Sequence, residues 1–348
     1  AGLARRRPVA GQLEHRGEAF CEVLQDIGEA VPARQDVGEL RARQAFHLGV
    51  LTALCDEIGF DGRDCDVVVG TSAGSLVAAA LTAGFAAADQ VATLLGDAPS
   101  AQAQRRLHEL RTQASSLPVL EQEVRLRRGP LAPGALLAAA RRPWAVRPGA
   151  VVSGLIPAGR NTTHGISRGV SHLHGESWPG ERLRICAVRA RDARRVVFGT
   201  PNAPKVDVGT AVAASCAIPG YFSPVFIDGQ PYVDGGAHSP TNADVLSKDR
   251  ANIVVISSPM SFGPGGGTRS PDALIRLAVR RYLAREVQLL RRHGAKVIVF
   301  QPSPRDLAAM GINPMKLVRG ADVVEAAATT VKLRLESRPE LREQLAQR

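Results

Sequence analysis

The residues Gly70-Thr71-Ser72-Ala73-Gly74 place a serine between two glycines, each two positions away. A serine hydroxyl is weakly nucleophilic at its free pKa. It does chemistry only with a base to take its proton and donors to meet the charge formed on its target. The spacing fits a sharp strand-to-helix turn, in which small residues at minus two and plus two let strand and helix approach. Ser72 would then stand above a sheet edge, and the Ala73 N–H would open a helix whose N-terminus favours developing negative charge. The bland alternative is a packing turn with an incidental serine. Two residues offer themselves as the base. His238 lies four positions after Asp234. Asp234 itself, in Tyr232-Val233-Asp234-Gly235-Gly236, ends a short apolar run and is followed by two glycines, which free the backbone to turn and leave a carboxylate at a sheet edge. Asp228-Gly229 carries the same dipeptide and reads as an ordinary hairpin turn. Spacing alone leaves His238 and Asp234 both open.

These residues need elements to position them. No charged side chain occurs from Val67 to Ala88. A membrane span would need about 20 apolar residues in one helix, but Gly70, Thr71, Ser72, Gly74 and Ser75 interrupt this stretch near its start. A short β-branched strand, a turn and an Ala/Leu-rich helix ending near Gly84 is the better parse. Upstream, Phe46, Val50, Leu51 and Leu54 recur at helical spacing from Ala42, with Gly59 as the stop. Residues 87–113, 119–142, 271–292 and 315–336 are expected to be helical, and 143–181 loop-rich. The helix beginning at Val208 is expected to end before Pro219. Strands are expected at 183–188, 194–199, 252–257 and 295–300, with two short ones around Asp228. Strands alternating with helices predict one α/β domain with a mostly parallel sheet.

Composition narrows the function classes. With 348 residues and 45% hydrophobic side chains, the chain can bury a sizeable core. Aromatics at 4% supply few platforms for stacking bases, so specific nucleic-acid binding is not expected. The net charge of +11 comes mostly from dispersed arginines. It fits either attraction to an anionic surface or simply solvated helix faces. Five cysteines show no CxxC or metal-ligand spacing, which suits a reducing compartment, and neither metal nor cofactor is expected. The first 20 residues carry cations but no apolar signal-peptide core, so a cytoplasmic location, peripheral to a membrane at most, is the expectation.

Three blocks together resemble the successive motifs of patatin-like phospholipases: Gly70 to Ser75, Ala213-Ala214-Ser215-Cys216-Ala217-Ile218-Pro219-Gly220, and Tyr232 to Gly236. The similarity covers about residues 42 to 335. It implies a three-layer α/β/α sandwich and a Ser-Asp dyad without a catalytic histidine. It implies hydrolysis of lipid acyl esters without a metal. Ser72 would attack the ester carbonyl, Asp234 would take its proton, and Gly70, Gly74, Gly235 and Gly236 would be the motif glycines. One departure stands out. The family's glycine-rich oxyanion loop, with a strand before it, should precede the helix from Ala45. Here the sequence reads Gly38-Glu39-Leu40-Arg41-Ala42-Arg43-Gln44, in which Arg43 matches the family's arginine and Gln44 replaces the glycine after it. Oxyanion help beyond Ala73 would then come from the backbone around Arg43 and Gln44. Losing one such donor costs on the order of 3 kcal/mol of transition-state stabilisation. Residues 1–41 read as an atypical segment, for instance a shifted reading frame, and 42–348 as one domain in which 85–182 is an insertion and candidate lid. The competing functional readings are a catalytically impaired module that binds lipid or protein, and an ordinary hydrolase using His238. Acyl length, headgroup and oligomeric state are not readable.

Overall fold

The computed structural model describes residues 35–114, 147–175, 177–263, 273–311 and 319–346. The chain opens on α1 (Gln35–Ile58), then β1 (Val68–Gly70) and α2 (Ala73–Thr82). Four helices follow: α3 (Ala87–Leu95), α4 (Ala101–Ala114), α5 (Pro148–Leu155) and α6 (His164–His174). Next come β2 (Leu183–Arg189), β3 (Arg194–Phe198), α7 (Val208–Ser215), β4 (Val225–Ile227) and β5 (Gln230–Asp234). The chain closes with β6 (Ile253–Ser257), α8 (Ala273–Arg292), β7 (Lys296–Phe300), α9 (Pro304–Met310), α10 (Gly320–Ser337) and α11 (Pro339–Ala346).

The α/β class is as expected, but the mostly parallel sheet is not. Among the described residues there are two sheets: a five-stranded one, in which β2 pairs with β1, β3 and β5 and β5 with β4, and a two-stranded one of β6 and β7. Of these strand pairs, β1–β2 and β6–β7 are parallel, and β2–β3, β2–β5 and β4–β5 are antiparallel. The physical reason lies in connection length. Turns as short as Ala190–Ala193 and Asp228–Gly229 can only fold a strand back on itself, whereas a parallel return needs a crossover.

Helices cover both faces of the smaller sheet. Phe46, Val50 and Leu54 of α1 pack with Val323, Ala327 and Val331 of α10 against Ile298 and Phe300 of β7. Leu283 and Leu290 of α8 pack against Val254, Ile256 and Val297 from the other side. A second core joins α2, α6 and α7 to β2, β4 and β5. Leu48 of α1 also meets Val77 and Leu81 of α2, so α1 bridges the two sheets.

Two further expectations change. The stretch 143–181 holds α5 and α6 rather than loops alone. Gly165 and Gly169 of α6 are buried, and Gly209 of α7 lies so close that a Cβ there would fall 2.2 Å from the Ser167 carbonyl oxygen. Small residues that look like loop composition are thus serving helix contact. The helix expected at 87–113 is broken at Gly96, whose φ of 85° ends α3, and restarts at Ala101. The helix expected from Ala42 begins at Gln35. The helix expected at 119–142 lies outside the described residues.

Candidate active site

Ser72 sits between β1 and α2 with φ 52° and ψ −127°, a conformation that costs a side-chain-bearing residue of order 1–3 kcal/mol and persists only where its surroundings impose it. Those surroundings are visible. The Ser72 N–H donates to Ser215 Oγ at 2.9 Å, and Ser215 Oγ donates in turn to the Cys186 carbonyl at 2.7 Å. Ser75 Oγ donates to the Ser72 carbonyl at 2.6 Å. A Cβ on Gly70 would lie 2.5 Å from Ser75 Cα, so only glycine lets strand and helix meet this closely. The Gly74 and Ser75 N–H groups return to the Thr71 and Ser72 carbonyls, while the Ala73 N–H makes no backbone hydrogen bond among the described residues.

Asp234 ends β5 opposite Ala187 of β2, and Gly70 ends β1 opposite Ile185. Because β3 holds the opposite edge of β2 over residues 185–189, β1 and β5 share one edge and finish facing each other across Cys186. Gly235 presses on that residue: a Cβ there would fall 2.1 Å from the Cys186 carbonyl oxygen. Asp234 is 6% exposed. Its Oδ1 accepts from the Gly236 N–H at 2.7 Å, which holds the carboxylate in place. Burial pushes its pKa above the usual carboxylate value, against the Ser72 hydroxyl, the Gly236 N–H and the Arg43 charge, all of which favour ionisation. Ser72 Oγ is buried and has no hydrogen bond of normal geometry. Ser72 nonetheless counts among the groups that favour the ionised Asp234 carboxylate.

Arg43 and Gln44 lie inside α1, eight residues or more from its start. Their N–H groups are engaged by carbonyls one turn back, so their backbone cannot supply oxyanion donors as the sequence suggested. What Arg43 supplies is charge, felt by both Asp234 and His47. His47, one turn further along α1, was not anticipated. Its Nδ1 is 2.8 Å from Ser257 Oγ, and its Nε2 lies 3.5 Å from where a Cβ on Gly74 would be. Burial, aided by Arg43, lowers its pKa to about 4, so it is neutral at pH 7. A Cβ on Gly74 would therefore rest in ordinary van der Waals contact with the imidazole and meet nothing of the strand.

His238 is directed elsewhere. Burial, Arg195 and Arg147 lower its pKa to about 4, and it stands with Asp244 in that charged cluster. Ser72 Oγ accepts or donates no hydrogen bond to it.

The sequence of residues 42–247 matches the family described as patatin-like phospholipase. That span is more than half of the chain. The chain belongs to the patatin-like phospholipase family. No curated protein matches it. Among solved structures it is similar to VipD from Legionella pneumophila, at 12% identity and a TM-score of 0.39, over 85% of this chain and 65% of that one. The chain thus spans just under two thirds of the length of VipD.

Within this patatin-like chain, three positions besides His47 support the site without having been singled out for it. Ser215, inside the second motif block, anchors the Ser72 backbone. Asn242 Nδ2 donates to Thr71 Oγ1 at 3.1 Å and to the Gly235 carbonyl at 3.4 Å, tying the serine turn to the Asp234 turn. Glu286, 2% exposed, accepts from Ser239 Oγ, Thr241 Oγ1 and the Ala243 N–H and so fixes the loop that carries Asn242. Among the described residues, no helix is long and apolar enough to cross a membrane, and no group of three His, Cys, Asp or Glu could hold a metal.

Proposed function

We propose that this chain is a serine acyl hydrolase of lipid acyl esters, with Ser72 as nucleophile and Asp234 as its base. The observation that carries the reading is the convergence of the strained serine and the buried carboxylate beside Cys186, each held by its own hydrogen bonds. In this mechanism Asp234 takes the Ser72 proton as Oγ attacks the ester carbonyl. Asp234 passes that proton to the leaving oxygen, the alcohol departs and an acyl-Ser72 ester remains; the carboxylate then takes a proton from the attacking water and returns it to Ser72 Oγ as the acid leaves.

The oxyanion would meet the open Ala73 N–H at the start of α2. A second donor is His47. That role requires the tautomer in which Ser257 Oγ donates to Nδ1, so that the neutral ring carries its proton on Nε2, the atom that faces Gly74. The glycine-rich loop of the family has no counterpart along α1, so His47 carries a larger share here. A lipid ester fits the family; the positive net charge supports peripheral contact with an anionic membrane.

Hydrolysis of a short-chain chromogenic ester by the Ser72→Ala, Asp234→Asn and His238→Ala variants tests this. The first two should lose at least 1,000-fold in kcat/KM, on the order of 4 kcal/mol, and the third should stay within a few-fold of the parent. An inactive parent chain would instead support a non-catalytic lipid- or protein-binding module.

A further inference from the structure

Asn242 is fully buried in a loop that belongs to neither turn of the candidate site. Its backbone is left-handed, with φ 47° and ψ 29°, a region that asparagine enters more readily than most residues. A buried amide is tolerated only when both of its ends have partners. Here both do. Nδ2 donates to Thr71 Oγ1 and to the carbonyls of Gly235 and Ser239, and Oδ1 accepts from Arg195 Nη1 at 3.1 Å. The two N–H groups serve three acceptors, the 3.4 Å contact to Gly235 being the longest. Thr71 immediately precedes the proposed nucleophile, and Gly235 immediately follows the proposed base. The two turns meet at these residues: a Cβ on Gly235 would lie 3.1 Å from Thr71 Cγ2. Asn242 therefore braces the seam between them.

The amide can do this in one orientation only. Its two ends have nearly the same shape, but a guanidinium only donates and a carbonyl only accepts. With Oδ1 on Arg195, the NH₂ group faces the Gly235 and Ser239 carbonyls. Turned over, the amide would set oxygen against oxygen at those carbonyls and N–H against N–H at the guanidinium. Arg195 reaches this loop from β3, on the opposite edge of β2 from β1 and β5. It is itself fixed by a two-pronged ion pair to Asp244, at 2.5 and 2.9 Å. Such a pair holds geometry as well as charge. We propose that Asn242 is a positioning residue whose donors set how closely the serine turn and the carboxylate turn approach, and that Arg195 acts on the reaction only by orienting the Asn242 amide. This rests on the hydrolase reading above. General-base attack needs nucleophile and base within hydrogen-bond reach, and a misplacement of about 1 Å can cost about 100-fold. Ser72 Oγ has no hydrogen bond of normal geometry to hold that spacing by itself, so the two turns must set it.

The experiment compares Asn242→Gly, Asn242→Asp, Arg195→Lys and the double variant Arg195→Lys/Asn242→Gly, each in the full chain. Glycine adopts φ 47° without strain, so the first removes the amide and keeps the backbone. Aspartate keeps an acceptor for Arg195 and loses the donors to the turns. Lysine keeps the charge beside Asp244 and loses the planar fork. With a short-chain chromogenic ester, each Asn242 variant should lower kcat about 10- to 100-fold, with KM changed less than about threefold. Arg195→Lys should lose about 3- to 10-fold alone and nothing further in the double variant, because its route to the site is already gone. Hydrogen exchange reads the same claim without turnover. Protection at residues 71–75 and 234–238 should fall together in both Asn242 variants, while β6 and β7 stay as in the parent. The proposal is overturned by a kcat within about twofold of the parent in Asn242→Gly, or by an Arg195→Lys loss that adds in full to the Asn242→Gly loss. Recovery of activity in Asn242→Asp also overturns it, since the amide would then serve only Arg195, and so does unchanged exchange at either turn. A parent chain that leaves the ester intact would count against the hydrolase reading, and the exchange data alone would then decide the brace.

Discussion

The Asp234 carboxyl must be ionised to accept a proton, yet burial raises its pKa above the ordinary carboxylate value. The acid limb of kcat/KM should therefore lie above pH 3.8, with activity rising as pH rises through it, and a stopped assay with a pH-insensitive ester will locate it. His47 has the opposite displacement. Its folded pKa of about 4 lies below its unfolded 6.5. Between those values the unfolded chain binds protons that the folded chain refuses, so this histidine makes stability fall as pH drops from 6.5 toward 4, by on the order of 3 kcal/mol at full extent. Asp234 works against that trend, because its raised pKa favours the folded state as pH falls. Replacing His47 by Gln should flatten the acid side of a urea-denaturation series. It should also lower kcat 10- to 100-fold with KM little changed, the signature of a donor used in the transition state. An unchanged kcat would remove His47 from the oxyanion site.

At the scale of elements, the turn between β1 and α2 separates two glycines that look equivalent in the sequence. Gly70→Ala would place its Cβ 2.5 Å from Ser75 Cα, against backbone, while Gly74→Ala meets only His47 Nε2 at 3.5 Å. The first should cost about 1–3 kcal/mol in denaturant unfolding, and the second should stay within about 0.5 kcal/mol. Equal losses in stability would mean that the approach of strand and helix is not what Gly70 serves. The elements themselves were legible where burial is continuous or periodic, as in β2, β6, β7, α8 and α10. They were not legible in α5 and α6, whose glycines and serines look like loop residues until the neighbouring helix is seen against them. The antiparallel pairing of β5 was hidden because a strand's direction depends on its partner, and β5 meets β2 across some 45 residues of intervening chain.

At the scale of the whole molecule, Ser72 and Asp234 could be proposed from the sequence because each sits in a contiguous motif. Their supports could not: Ser215, Asn242 and the Ser257 partner of His47 lie 143, 171 and 210 residues from the groups they bind. No local pattern reports a contact of that separation. The charge of +11 is likewise a property of the whole. If it serves a lipid surface, sedimentation with vesicles containing anionic phospholipid should fall steeply between 50 and 500 mM salt, roughly as the Debye length contracts, and neutral vesicles should bind little. Binding indifferent to both charge and salt would leave the arginines as solvated helix faces. The central claim, that Ser72 is a nucleophile activated by Asp234, has a more direct test than turnover. The intact chain is treated with a fluorophosphonate and the adduct located by peptide mass spectrometry. The account predicts a single adduct on Ser72, formed at least 100-fold more slowly in Asp234→Asn; an adduct on another residue, no adduct, or labelling indifferent to Asp234 would contradict it.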